Sequence, residues 1–148
     1  MGVTILTRQV PQALYDEVMD LATAIAQPDA EYNVDEEAAD EALAKLIALF
    51  RSREAAGMSD PFLTETLADF TDDLGDSIDL YRLALEQCAA FPDEPTHTKR
   101  QSLAECLIED GSIDEAREEL EKALREAFAA GDTDAIGELN ELVAELRK

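Results

Sequence analysis

The sequence predicts an all-α fold of stacked antiparallel helical hairpins, with about seven helices. Apolar residues recur at three- and four-residue spacing in seven segments that short turns separate, and no segment shows the alternation typical of a half-buried strand. The segments are rich in Ala, Leu, Glu and Arg, which are good helix formers. With 148 residues, 46% of them hydrophobic, the chain is long enough to bury one core, so we expect a single domain over residues 1–148.

The first two helices are expected to form a hairpin over residues 10–57. Pro11 suits the first turn of a helix, because its fixed backbone angle matches the helix and its missing N–H is not needed there. Asn33, with Glu36 three residues later, has the form of a capping box at the start of the second helix. We expect this helix to end at Gly57.

The third and fourth helices are expected over residues 60–96. Either Ser59 or Asp60 can cap the third helix, since both side chains accept hydrogen bonds from free backbone N–H groups. The apolar stripe of this helix continues until Gly75, which predicts a glycine turn at that point. Asp76 is then the expected cap of the fourth helix.

The fifth and sixth helices are expected over residues 97–131 and are joined at Gly111. Ser112 and Glu115 have the spacing of a second capping box, at the start of the sixth helix. A seventh helix is expected over residues 133–148, where it would cap the end of the array.

An internal repeat becomes visible when the chain is shifted against itself by 36 residues. The shift aligns Leu67, Ala68 and Gly75 with Leu103, Ala104 and Gly111. Residues 97–131 resemble the tetratricopeptide repeat, in which small residues lie where two helices cross and large residues fill the space around them. The residues that carry this resemblance are Leu103, Ala104, Gly111, Ala116, Leu120, Ala123 and Leu124.

The resemblance extends to residues 61–96 when the turn between the two helices is shortened, which gives Tyr81 and Ala84 the roles of second-helix residues. For residues 10–57 it concerns the architecture only. It implies an α-solenoid in which this first hairpin supplies one stacked layer.

The resemblance also implies a binding surface, since the first helix of each tetratricopeptide hairpin lines a concave groove. We expect the groove positions of this chain to contact a protein partner. They are Phe62, Glu65, Asp69 and Asp72 from the first window and Thr98, Gln101, Glu105 and Ile108 from the second, with Glu109 beside Ile108.

The charge of the chain favours a basic or polar partner. The formal net charge is -23, and residues 58–95 contain ten acidic residues and one basic residue, Arg82. An acidic groove would attract Lys and Arg side chains and would reject the acidic tails that some tetratricopeptide proteins bind. Nucleic acids and anionic membrane surfaces would be repelled, so we expect neither as a partner.

Few residues offer catalytic or metal-binding chemistry. His97 is the single histidine, without another His or a Cys at ligand spacing, and is expected at the surface. Cys88 and Cys106 lie on apolar stripes and are expected to act as small buried hydrophobic residues. We therefore expect no enzyme activity, no cofactor and no bound metal. Without a secretion signal or an apolar run of membrane-spanning length, a cytoplasmic location is expected.

Three functions fit these features. The first is a protein-interaction module that binds a basic or polar partner through an acidic concave face. The second is an acidic inhibitor or immunity-type protein that neutralises a basic enzyme such as a toxin nuclease. The third is a structural subunit of a larger assembly. The sequence leaves the oligomeric state open.

Overall fold

The computed structural model describes residues 9–148, which form seven α-helices and contain no β-strand. This confirms the predicted all-α fold. From the sequence, a strand is expected to be either absent or confined to the first nine residues, of which only Gln9 lies in the described range. The helices are α1 (Gln12–Ala26), α2 (Glu36–Ala55), α3 (Pro61–Asp69), α4 (Leu74–Gln87), α5 (His97–Asp110), α6 (Ile113–Ala130) and α7 (Thr133–Glu145), with a short 3-10 helix at Cys88–Ala90 after α4.

Aspartates cap four of these helices at their N-termini. Of the two caps that the sequence allows for α3, Asp60 is the one used, because its Oδ1 accepts a hydrogen bond of 2.9 Å from the backbone N–H of Phe62. The predicted capping box at Asn33 is wrong, since Asp35 occupies the N-cap of α2 and accepts from the N–H of Ala38. Aspartate and asparagine are equally good caps, so composition alone could not separate two candidates that lie two residues apart.

The turn between α3 and α4 also differs from the prediction. Gly75 is the second residue of α4, and Asp73 rather than Asp76 caps that helix. Gly111, by contrast, ends α5 with a φ of 86°, a left-handed conformation that favours glycine. The predicted equivalence of these two glycines is therefore wrong.

The capping box predicted at the start of α6 does not form. Ser112 occupies the N-cap position, but its hydroxyl donates a hydrogen bond of 2.9 Å to the carboxylate of Asp110. Its oxygen accepts no hydrogen bond from the backbone N–H groups at the start of α6.

Each helix packs against the next one in the chain, and α3 also contacts α1. Three groups of buried side chains follow this order. Val18, Leu46 and Leu63 belong to the group that joins α1, α2 and α3, whereas Leu103 and Leu107 belong to the next group, which joins α3 to α6. The third group joins α5, α6 and α7. Since α3 and α5 each belong to two groups, the core runs through the helices in chain order.

A repeat is present in the structure as well as in the sequence. The N-caps of α3, α5 and α7 are Asp60, Thr96 and Asp132, which are 36 residues apart. The buried residues of α6 lie 39 positions after those of α4. The predicted shortening of the turn is wrong, because it is α3 that ends five residues before the equivalent end of α5, and the turn at residues 70–73 is two residues longer than the turn at residues 111–112. The matched pairs are Ser77 with Ala116, Tyr81 with Leu120, Ala84 with Ala123, and Cys88 with Ala127.

Candidate protein-interaction surface

Two of the predicted binding residues on α3 are engaged within the protein. The Phe62 ring is half-buried and stacks on the ring of Tyr15 from α1, with 4.9 Å between the ring centroids. The Glu65 side chain is only 18% exposed, and its Oε1 lies 3.3 Å from Nζ of Lys99 on α5. These contacts hold α3 against α1 and α5.

Lys99 is the most deeply buried charged residue in the described chain, with no exposed surface. Besides Glu65, its Nζ contacts Glu94 Oε2 at 3.1 Å and the carbonyl oxygen of Pro95 at 3.0 Å. Burial alone would lower the pKa of Lys99, but the nearby negative charges, that of Glu65 foremost, raise it overall. Lys99 is therefore a buried cation, and the negative charge of Glu65 serves to balance it.

The other two predicted residues from the first window differ in their surroundings. The hydroxyl of Tyr81 on α4 donates a hydrogen bond to Asp69 Oδ1. Asp69 is an exposed residue, but partial desolvation of its carboxyl raises the pKa of Asp69, and the hydrogen bond from Tyr81 opposes the increase. Asp72 lies in the turn between α3 and α4 and is exposed.

Of the predicted residues on α5, Gln101 connects this helix to α7. Gln101 Nε2 donates to Glu138 Oε2 at 3.0 Å and to Glu105 Oε1 at 3.4 Å. Ile108 instead packs, half-buried, against the core group of α3 to α6, so it contributes to stability more than to the surface. Glu109 is exposed.

Acidic residues of α3 and α5 meet around Cys106. Burial raises the pKa of the Cys106 thiol, and the negative charges of Glu109, Glu105 and Asp69 raise it further. The predicted residues of the two windows are thus close enough in space for their fields to overlap. A thiol in such surroundings is not an activated nucleophile.

An acidic cleft of about 230 Å³ lies between α5 and α7. None of its four glutamates lies within 4.0 Å of a basic group of residues 9–148, and all four are exposed. They are Glu105, Glu138, Glu141 and Glu145. On α6, by contrast, Glu119 and Glu126 both pair with Arg100. The acidic cleft is lined by Gln101, Glu105, Glu138, Glu141, Leu142 and Glu145.

The sequence contained a signal for each residue that the prediction missed. Lys99 stands four and eight positions before Leu103 and Leu107, on the same buried stripe of α5, which marks it as a lysine in an apolar position. Glu138, Glu141 and Glu145 follow the spacing that places side chains on one face of a helix. They were missed because α7 was interpreted only as a cap.

His97 was expected at the surface, and this prediction is wrong. Its side chain is buried, and its Nε2 lies 2.8 Å from Asp132 Oδ2. The hydrogen bond from His97 is the main reason why the pKa of Asp132 is lowered. Since Asp132 also caps α7, the pair ties the start of α5 to the start of α7.

Metal binding and cysteine chemistry find no support among residues 9–148. No three His, Cys, Asp or Glu side chains of this range are grouped so that they could hold a metal ion. Cys88 and Cys106 are both free, and burial raises the pKa of the Cys88 thiol to about 11. Cys88 is therefore a buried thiol, as expected, whereas Cys106 is half-buried.

No helix of the described range is both long enough and apolar enough to cross a bilayer. Comparison with protein-family models, with curated proteins and with solved structures found no match to this chain.

Proposed function

We propose that this protein binds a basic protein or peptide, and that the acidic cleft between α5 and α7 is the main contact surface. The observation that carries the proposal is the set of four exposed glutamates at the cleft, none of which has a basic partner in residues 9–148. Two glutamates of α6, Glu119 and Glu126, are by contrast both paired with Arg100 of α5.

The chemistry of the cleft suits Lys and Arg side chains. Four carboxylates in one concave surface produce a negative field that attracts a basic surface and increases the rate of encounter. Leu142 adds an apolar wall against which the stem of a Lys or Arg side chain can pack. Gln101 can donate or accept a hydrogen bond with the main chain of a peptide.

The proposal moves the centre of binding away from α3. Glu65 is balanced by Lys99, and Asp69 is hydrogen-bonded to Tyr81, so reversing either charge would disturb the fold. The groove is instead assigned to α5 and α7, which are both first helices if the chain is a tetratricopeptide-like array. The 36-residue spacing of their N-caps supports that assignment. In this proposal the protein acts in the cytoplasm, and binding involves no catalytic step.

The test is capture of partners from an extract of the host by three forms of the full chain. The cleft variant carries Glu105→Lys, Glu138→Lys and Glu141→Lys. The control variant carries three reversals at exposed, unpaired glutamates on α4 and α6, namely Glu86→Lys, Glu118→Lys and Glu121→Lys. Each variant changes the formal net charge by the same six units, so any difference between them reflects the position of the charges.

We expect a basic protein to be retained by the wild type and the control variant and lost from the cleft variant. Retention by all three forms would contradict the proposal. The identity of the captured protein separates the alternatives: one basic enzyme whose activity is blocked indicates an inhibitor, and several unrelated basic proteins indicate an adaptor.

A further inference from the structure

A second cavity lies at the turn between α2 and α3, apart from the acidic cleft. Its volume is about 400 Å³, within the range of small-molecule sites. Its lining includes one acidic residue, Asp60, and one basic residue, Arg53, with Met58 and Phe91 as large apolar neighbours. The cavity therefore carries one charge of each sign beside an apolar wall.

Asp60 is incompletely satisfied. The residue is 1% exposed, and its Oδ1 accepts hydrogen bonds from the N–H groups at the start of α3, but its Oδ2 has no hydrogen-bond partner among residues 9–148. A buried carboxylate oxygen without a donor costs free energy, which a ligand carrying a donor would recover. Burial is also the main reason why the pKa of Asp60 is raised, and the negative charge of Glu94 contributes.

Arg53 lies at the same cavity, and one of its guanidinium nitrogens is used in a hydrogen bond within the protein. Its Nε donates a hydrogen bond of 3.1 Å to the carbonyl oxygen of Met58, which positions the guanidinium. Its guanidinium lies within 4.0 Å of no carboxylate of residues 9–148, Asp60 included. The terminal nitrogens of Arg53 are therefore free to bind a carboxylate.

From these observations we infer that the cavity binds a small zwitterion of the amino-acid class, with an apolar side chain. The ammonium group would donate to Asp60, and the carboxylate would accept from Arg53. The side chain of the ligand would pack against Met58, which is half-exposed, and against Phe91, which is buried. Both residues line the cavity. A ligand with a single charge would satisfy only one of the two groups.

Isothermal titration of the full chain with three matched probes tests the inference. L-leucine carries both charges, L-leucinamide carries only the ammonium, and isocaproate carries only the carboxylate. Leucine should bind at least about tenfold more tightly than either analogue, because each charged hydrogen bond that is lost is worth that much. Equal binding of leucine and leucinamide would overturn the inference and indicate a site for a basic side chain. Absence of binding by all three probes would also overturn it.

Two variants assign the contacts. Asp60→Asn keeps a good N-cap and should weaken leucine and leucinamide, whereas Arg53→Gln should weaken leucine and isocaproate, each by about tenfold. Arg117→Gln removes a charge at a different cavity, between α6 and α7, and should leave leucine binding unchanged. Far-UV circular dichroism shows whether Asp60→Asn folds. If it does not fold, binding of the three probes to the wild type and to Arg53→Gln still tests the inference. Unchanged binding of leucine by Arg53→Gln would contradict the site.

Discussion

Replacing Lys99 with methionine should lower the free energy of unfolding by about 3 kcal/mol. The substitution keeps the length of the side chain but leaves Glu65 and Glu94 without their common cation. Removing one partner of a buried ion pair costs about 3 to 5 kcal/mol. We take the lower end, because the carboxylates are still 18% and 20% exposed and water can partly solvate them. For a chain of this length the melting temperature should fall by about 6 to 12 °C.

Urea unfolding followed by far-UV circular dichroism measures this change. Lys45→Met is the matched control, since Lys45 is 64% exposed and, within residues 9–148, pairs with Glu41 alone, at 3.4 Å. That control should change stability by less than about 0.5 kcal/mol. Adding Glu65→Gln to Lys99→Met should cost less than the sum of the two single changes, because the two residues share one interaction. A Lys99→Met protein within about 0.5 kcal/mol of the wild type would refute the buried-cation argument.

Three further predictions concern packing, the glycines and pH. Ala116 is 0% exposed, so Ala116→Leu should overpack the core and lower stability by about 1 to 3 kcal/mol in urea unfolding, whereas Ala129→Leu, on the exposed side of α6, should have little effect. Gly75→Ala should stabilise α4 by about 0.5 to 1 kcal/mol, but Gly111→Ala should be destabilising because its φ is 86°; thermal melts that gave both the same sign would contradict the α3–α4 turn. Desolvation raises the pKa of three carboxyls, so the folded state binds more protons than the unfolded state. Stability should therefore increase as the pH falls from neutral through the folded pKa values, and this contribution should be lost as the pH rises through them. The carboxyls are those of Asp60, Glu65 and Asp69, and a decrease in urea midpoint over that range would contradict their pKa directions.

The helices were predictable from the sequence because apolar spacing and helix formers agree throughout the chain. The residues at which the helices begin were harder to predict. Asn33 and Asp35, or Asp73 and Asp76, are chemically similar caps within three residues, and only the packed structure decides which one is used. The burial of Ala104, Ala116 and Ala123 was predicted from the repeat and is confirmed, since each is 0% exposed.

The candidate site was only partly predictable. The resemblance assigned Gln101 and Glu105 to the fifth helix as binding residues, and both line the acidic cleft that we propose as the contact surface. It did not reveal that a buried lysine neutralises Glu65, because that contact joins residues 34 positions apart in the chain. Nor did it identify α7 as the opposite wall of the cleft, since the contact between α5 and α7 depends on tertiary packing.

The most direct test of binding at the acidic cleft is the association rate of the captured basic partner with the cleft variant and the control variant. It should be measured at low salt and at about 1 M salt, where the Debye length shrinks to about 3 Å. At low salt the cleft variant should associate at least about tenfold more slowly than the control variant, and high salt should bring the two rates together, because screening removes the steering field. Equal rates for the two variants at low salt would mean that the partner responds to the total charge of the protein and not to the position of the glutamates, and binding at the cleft would be contradicted.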